Sequence, residues 1–177
     1  ITVQLYVGLA IVLVAVGIPA TTGAAWELEA GRTTLPATGV GGAAQAVAFA
    51  TPFAEAPLVF VMPTAEGSEP ASARVLGITS SGFEVVQVEA PAGDGPHEAM
   101  TVDWVAVTPG SHTLPDGTRL EAGTVSTQRV QHGSGVTGTE SWETLTFSSA
   151  FSSAPALVVA LQTTANVTEV ERAIRAR

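Results

Sequence analysis

At 177 residues the chain has room for one domain or two small ones, and its formal net charge of −9 argues against the clustered cations that a nucleic-acid or anionic membrane partner requires. With no cysteine it excludes disulfides, thiolate catalysis and cysteine metal sites, and the redox compartment stays open. Eighteen Gly and eleven Pro, set among short apolar runs rich in Val and Thr, point to an all-β chain.

From Leu5 to Ile18 every residue is apolar apart from Gly and one Tyr. As a helix this run would reach roughly 21 Å, short of the roughly 30 Å hydrocarbon core of a bilayer. Pro19 and the small residues Ala20 to Ala25 follow, ending before Trp26, which is the layout of an export signal. No basic n-region precedes the run. Two expectations stand side by side: the sequence starts partway through a signal peptide, or residues 1–25 are a retained apolar helix that packs or anchors as in pilin-like subunits. Against the second, Leu5 stands where pilins usually carry glutamate. Both readings export the protein, as an extracellular or cell-surface protein of a bacterium.

Next come short segments with a period of two. Strands are predicted at Trp26–Ala30, Gln45–Phe49, Leu58–Met62, Ala73–Thr79, Phe83–Val88 and Met100–Val107, with turns at Ser80-Ser81-Gly82 and from Pro91 to Pro96. Met100, Val102, Trp104 and Ala106 alternate with Thr101, Asp103, Val105 and Val107. Six short antiparallel strands, each with one buried face, make a small sandwich.

The pattern then repeats. Leu28-Glu29-Ala30-Gly31 returns as Leu120-Glu121-Ala122-Gly123, Phe49 and Phe53 return as Phe147 and Phe151, Ala56-Pro57 as Ala154-Pro155, and Arg74 as Arg172. The polar stretch from Gln131 to Thr139 absorbs the extra residues of the second copy. Residues 167–177 have some helix propensity, but the repeat aligns them with the strand around Arg74. The expected organisation is therefore 1–25 as the signal-like or retained apolar segment, 26–118 as a complete sandwich and 119–177 as a partial second copy. Nothing in the second copy matches Phe83–Val88 or Met100–Val107, and half a sandwich leaves apolar edges open. Either the sequence is a piece of a longer chain, or strands from another subunit complete it.

The string from Val47-x-Phe49-x3-Phe53-x3-Pro57 through Ser81-Gly82-Phe83-x-Val85 to Val102-Asp103-Trp104-Val105-Ala106-Val107 resembles the H-type lectin domain, a six-stranded antiparallel β-sandwich that binds sugars. The longer wording, with Asp94-Gly95-x-His97-x2-Met100 and Pro109-Gly110-x-His112-x-Leu114-Pro115-x-Gly117, is similar to surface proteins of the MshQ type, associated with a mannose-sensitive haemagglutinin pilus. The resemblance covers residues 26–177. It implies oligomers, commonly trimers, and a sugar contacted by a Trp-His pair after the Gly-Phe strand together with acidic and Arg residues. Residues 89–97 contain no Trp, so the stacking platform is missing there and the fold carries over better than the site.

Asp94, His97 and Glu98 share one loop, either as hydrogen-bonding partners for sugar hydroxyls, as metal ligands or as a plain solvated turn. His112 and Asp116 flank the Asp116-Gly117 hairpin signal, and His132 lies in a Gly/Ser loop. Trp104 reads as core, whereas Trp142, at the opening of a strand, is the candidate exposed aromatic platform. Arg74 and Arg172 hold equal places in the two copies and pair with a carboxylate or contact ligand. No Gly-x-Ser-x-Gly elbow, no Ser-His-carboxylate spacing and no phosphate loop is present, so no enzyme, metal or cofactor is expected. The expectation is tandem six-stranded antiparallel β-sandwiches, the second incomplete, in an exported, non-catalytic protein of adhesion or carbohydrate recognition. Arg74, Asp94, His97, Trp142 and Arg172 are its candidate ligand residues, and its partners are surface glycans and homo-oligomer neighbours. A structural filament subunit, with the apolar segment in the filament core or strands exchanged between subunits, is the alternative.

Overall fold

The structure, a computed structural model, describes residues 2–5, 8–17, 27–37, 43–63, 71–89, 98–127, 143–161 and 174–176. In chain order the strands are β1 (Thr2–Leu5), β2 (Gly8–Gly17), β3 (Leu28–Leu35), β4 (Gln45–Ala48), β5 (Leu58–Pro63), β6 (Ala71–Thr79) and β7 (Gly82–Glu89). They continue as β8 (Met100–Val107), β9 (Gly110–Thr113), β10 (Thr118–Thr127), β11 (Glu143–Thr144), β12 (Ala156–Leu161) and β13 (Ile174–Ala176). No helix occurs among the described residues, and hence none long and apolar enough to cross a membrane. Every strand pairing is antiparallel. The chain is therefore all-β, and it divides into two compact units. We call the unit of β3 to β8 module A, and that of β1, β2 and β9 to β13 module B.

Module A consists of two three-stranded sheets, ordered β3-β8-β5 and β4-β7-β6, in a sandwich-like arrangement. Its core draws from both: Leu35, Val59, Val61, Val102 and Trp104 come from the first sheet, and Val75, Phe83 and Val85 from the second. Strand β8 shows why. Met100, Val102, Trp104 and Ala106 are buried while Thr101, Asp103 and Val105 between them are half-exposed, the alternation that a pleated strand imposes on its two faces. Phe49 and Phe53, just after β4, close the core in an edge-to-face pair with centroids 4.9 Å apart.

Two glycines are dictated by close approach. A Cβ at Gly31 would stand 2.4 Å from Cζ2 of Trp104, so β3 can pass over the indole only without a side chain. A Cβ at Gly82 would stand 2.3 Å from the carbonyl oxygen of Val47, which accounts for the glycine that opens β7 beside β4.

Module B has sheets ordered β12-β2-β10-β9 and β11-β1-β13. By the sequence repeat, β10, β11, β12 and β13 take the places of β3, β4, β5 and β6. The two remaining places, those of β7 and β8, are held by β1 and β2 from the far end of the chain. For β2 the register agrees on both flanks. Leu28 and Leu58 pair with Val107 in module A, and their counterparts Leu120 and Ala156 both pair with Ala15.

Residues 8–17 thus form a strand where the apolar run suggested a helix. Ile11, Val12, Val14 and Val16 are β-branched, which suits a strand, while the run has no polar residues from which a period of two could be read. Such a run cannot be told from a buried helix by period alone.

Candidate functional site

The repeated Leu-Glu-Ala-Gly stretch lies at the start of β3 and inside β10, and its glutamate does the same job in both. In module A the backbone N–H of Ala50 donates to Glu29 Oε1 and Oε2 at 2.9 and 3.1 Å. In module B the N–H of Ser148 donates to Glu121 Oε1 at 2.7 Å, and its hydroxyl donates to Oε2 at 2.9 Å. Each carboxylate pins the residue after a Phe that begins an edge-to-face pair, and the Phe147–Phe151 centroids are again 4.9 Å apart. Charge-assisted hydrogen bonds of this kind are worth about 1.5–3 kcal/mol each when shielded from water.

Two residues earlier in each copy the chemistry inverts. Glu27 Oε2 accepts from the N–H of Ala54 at 3.0 Å. Its counterpart Arg119 instead donates through Nη1 to the carbonyls of Ser149 and Ala150 at 3.1 and 3.0 Å. Arg119 also pairs with Glu121 at 2.8 Å, both side chains only 17 % exposed, and stacks over the Phe151 ring at 4.3 Å. Arg119, Glu121, Ser148 and Phe151 form one polar-aromatic cluster that holds the turn after Phe147 in place.

Beside this cluster, within module B, lies a cavity of about 350 Å³ lined by Glu121, Gly123, Thr124, Val125, Thr144, Leu145, Thr146 and Phe147. Its size falls at the lower end of small-ligand pockets. One carboxylate, three threonine hydroxyls and an aromatic ring give it donors, acceptors and an apolar wall. It contains no nucleophile paired with a base, and among the described residues no group of three or more His, Asp or Glu is placed to hold a metal.

Of the residues singled out from sequence, Arg74 lies on β6 and is 2 % exposed, closed in rather than displayed. Trp104 is in the core at 6 %. Asp94, His97, Trp142 and Arg172 lie outside the described residues, as do Trp26, His132, the Pro91–Pro96 turn and the Gln131–Thr139 stretch. His112 is half-buried on β9 opposite Leu120. Asp116 sits in the β9–β10 hairpin, where the N–H of Thr118 donates to its carboxylate at 2.8 Å and holds its pKa below the ordinary value.

Glu121 and Arg119 were not picked out as site residues. The signal was available: Glu121 belongs to the very stretch that repeats, and its partner Ser148 follows the repeated Phe. No protein-family model and no curated protein matches the chain.

Proposed function

We propose that the chain is an exported, non-catalytic protein of the bacterial cell surface, built from H-type-lectin-like six-stranded sandwiches and acting in adhesion through carbohydrate recognition. The observation that supports it best is the pair of three-stranded sheets in module A, in which β4 to β8 follow one another along the lectin-like string of residues 47–107 and β3 precedes it. Asp94 and His97 fall between β7 and β8 in the sequence and Trp142 just before β11; together with Arg74 and Arg172 they are the residues proposed for sugar contact. A glycan array probed with the full chain tests the reading. Binding that falls at least about tenfold in His97→Ala or Trp142→Ala supports it, and a uniform lack of binding by an oligomeric sample overturns it.

A second reading, a structural filament subunit whose neighbours exchange strands, is favoured by a separate observation: β1 and β2 complete module B from the opposite end of the chain. Strands supplied at such a distance along the sequence can be supplied equally by a neighbouring copy. Light scattering across a concentration series tests it, with concentration-dependent oligomers expected from the full chain and a fixed monomer overturning it. Mass spectrometry of the native N-terminus bears on the same point, since a mature protein starting at Trp26 has no β1 or β2 to exchange.

A further inference from the structure

The central place of module B's larger sheet is occupied by a strand, and a cavity lies beside it. In module A, Trp104 stands in register between Gly31 and Val61; in module B the same place, between Gly123 and Val159, is held by Val12. The Trp104 indole presses against Gly31, and its ring lies 5.4 Å from that of Phe83 and 6.0 Å from that of Phe49. At Gly123 no described atom lies within 4 Å of where a Cβ would be. The cavity of about 350 Å³ opens there instead, against Gly123, Val125, Leu145 and Phe147. These four are the repeat counterparts of Gly31, Thr33, Val47 and Phe49. Module B has kept the glycine and the phenylalanine that receive an indole in module A.

We propose that module B is an acceptor for a tryptophan-bearing strand. The segment it takes is a β8-type strand of another copy of this repeat, with the Val-x-Trp-x-Ala pattern of residues 102–106, and β2 is the resident strand that it replaces. The proposal rests on the strand-exchange reading above and deepens it by naming the side chain that drives the exchange. Replacement is close to neutral in backbone hydrogen bonds, because one antiparallel central strand is traded for another in the same register. The side chains decide the outcome. An indole placed over Gly123 against Phe147 removes apolar surface from water and gains dispersion contacts with the cavity wall. Exchange is slow, since β2 must be released from two neighbours at once.

The test uses the full chain and a fluorescent synthetic peptide copying residues 98–109, incubated together while warmed below the unfolding midpoint and followed by anisotropy. Capture of the peptide is expected, with the peptide carrying Trp104→Ala bound roughly tenfold or more weakly. Two protein variants test the space by different routes: Val12→Trp puts an indole at the register place that Trp104 holds in module A, and Gly123→Val adds a side chain at the floor of the cavity. Both are expected to reduce capture by about tenfold or more, and Val12→Trp also to raise the thermal midpoint of module B. Capture of neither peptide, or equal capture of the Trp and Ala peptides, overturns the proposal. Equal capture in a sample that still forms concentration-dependent oligomers overturns the tryptophan acceptor alone and leaves strand exchange standing.

Discussion

Modules A and B share a strand order and a glutamate that ties β3 or β10 to the turn after a phenylalanine, yet they differ at the centre. In module A the β8 tryptophan fills the space over Gly31; in module B the glycine at the same place faces a cavity. The contrast shows which parts of a small two-sheet module set its shape and which set its density. Register and the polar ties define where strands lie, and they are alike in both copies. The large aromatic determines how well the space between sheets is used, and at its place in the register module B carries Val12.

That contrast can be broken first at Trp104. Trp104→Ala should cost module A about 3–5 kcal/mol, the range for truncating a buried Trp, read as a lower urea midpoint for its transition. A loss below about 1 kcal/mol would mean that the core of module A does not depend on the indole. Next is the tie itself. Glu121→Ala should cost about 1.5–3 kcal/mol, because it removes the acceptor of the Ser148 N–H and the charge partner of the half-buried Arg119, which keeps its bonds to the Ser149 and Ala150 carbonyls. Glu29→Ala should cost about 1 kcal/mol or less, since Ala50 and its carboxylate partner lie in contact with water. The glycine pair sharpens the comparison. Gly31→Ala should destabilise by about 1–3 kcal/mol by forcing the indole aside, while Gly123→Ala should stay within about 0.5 kcal/mol of the parent.

The smallest effect concerns pH. Asp103 receives hydrogen bonds from Arg32 Nε and Nη2 at 2.6 and 3.0 Å across β3 and β8, and this pairing lowers its pKa below the ordinary value. Its folded-state pKa is depressed, so the stability that it adds is present above its unfolded pKa and is lost as pH falls through the folded one. Asp103→Asn should therefore leave a shallower loss of stability below about pH 4 and little change at neutral pH, as measured by thermal melts across that range. An unchanged acid profile would mean that the pair is too well hydrated to matter.

Much of module A was legible in the sequence. Strand β8 has the bounds that its alternation gives, and β4 to β7 fall within two residues of their expected ends. β3 runs on to Leu35, past the predicted end at Ala30: Arg32, Thr33 and Thr34 carry no apolar signal, yet they continue the pairing with β8. The repeat was legible too, down to the Phe147–Phe151 pair that reproduces the Phe49–Phe53 geometry. Residues 8–17 were not, because a continuous apolar run carries no period to separate a central strand from a helix. The candidate site was less legible than the fold. A buried charge such as Arg74 looks like a surface ligand contact until its exposure is known. Nor can the tie from Glu121 to Ser148 be drawn before the strands that bring them together are placed.

The route by which β2 reaches its neighbours has a consequence for biogenesis. Its partner positions include Gly123 and Val159, with the whole of module A threaded between. While the chain is still emerging from the ribosome, module A can close on itself, but β2 must wait, apolar and without these partners, until β10 and β12 have been synthesised. That interval is when a holding chaperone would be needed most, and when β2 is most exposed to capture by the wrong partner.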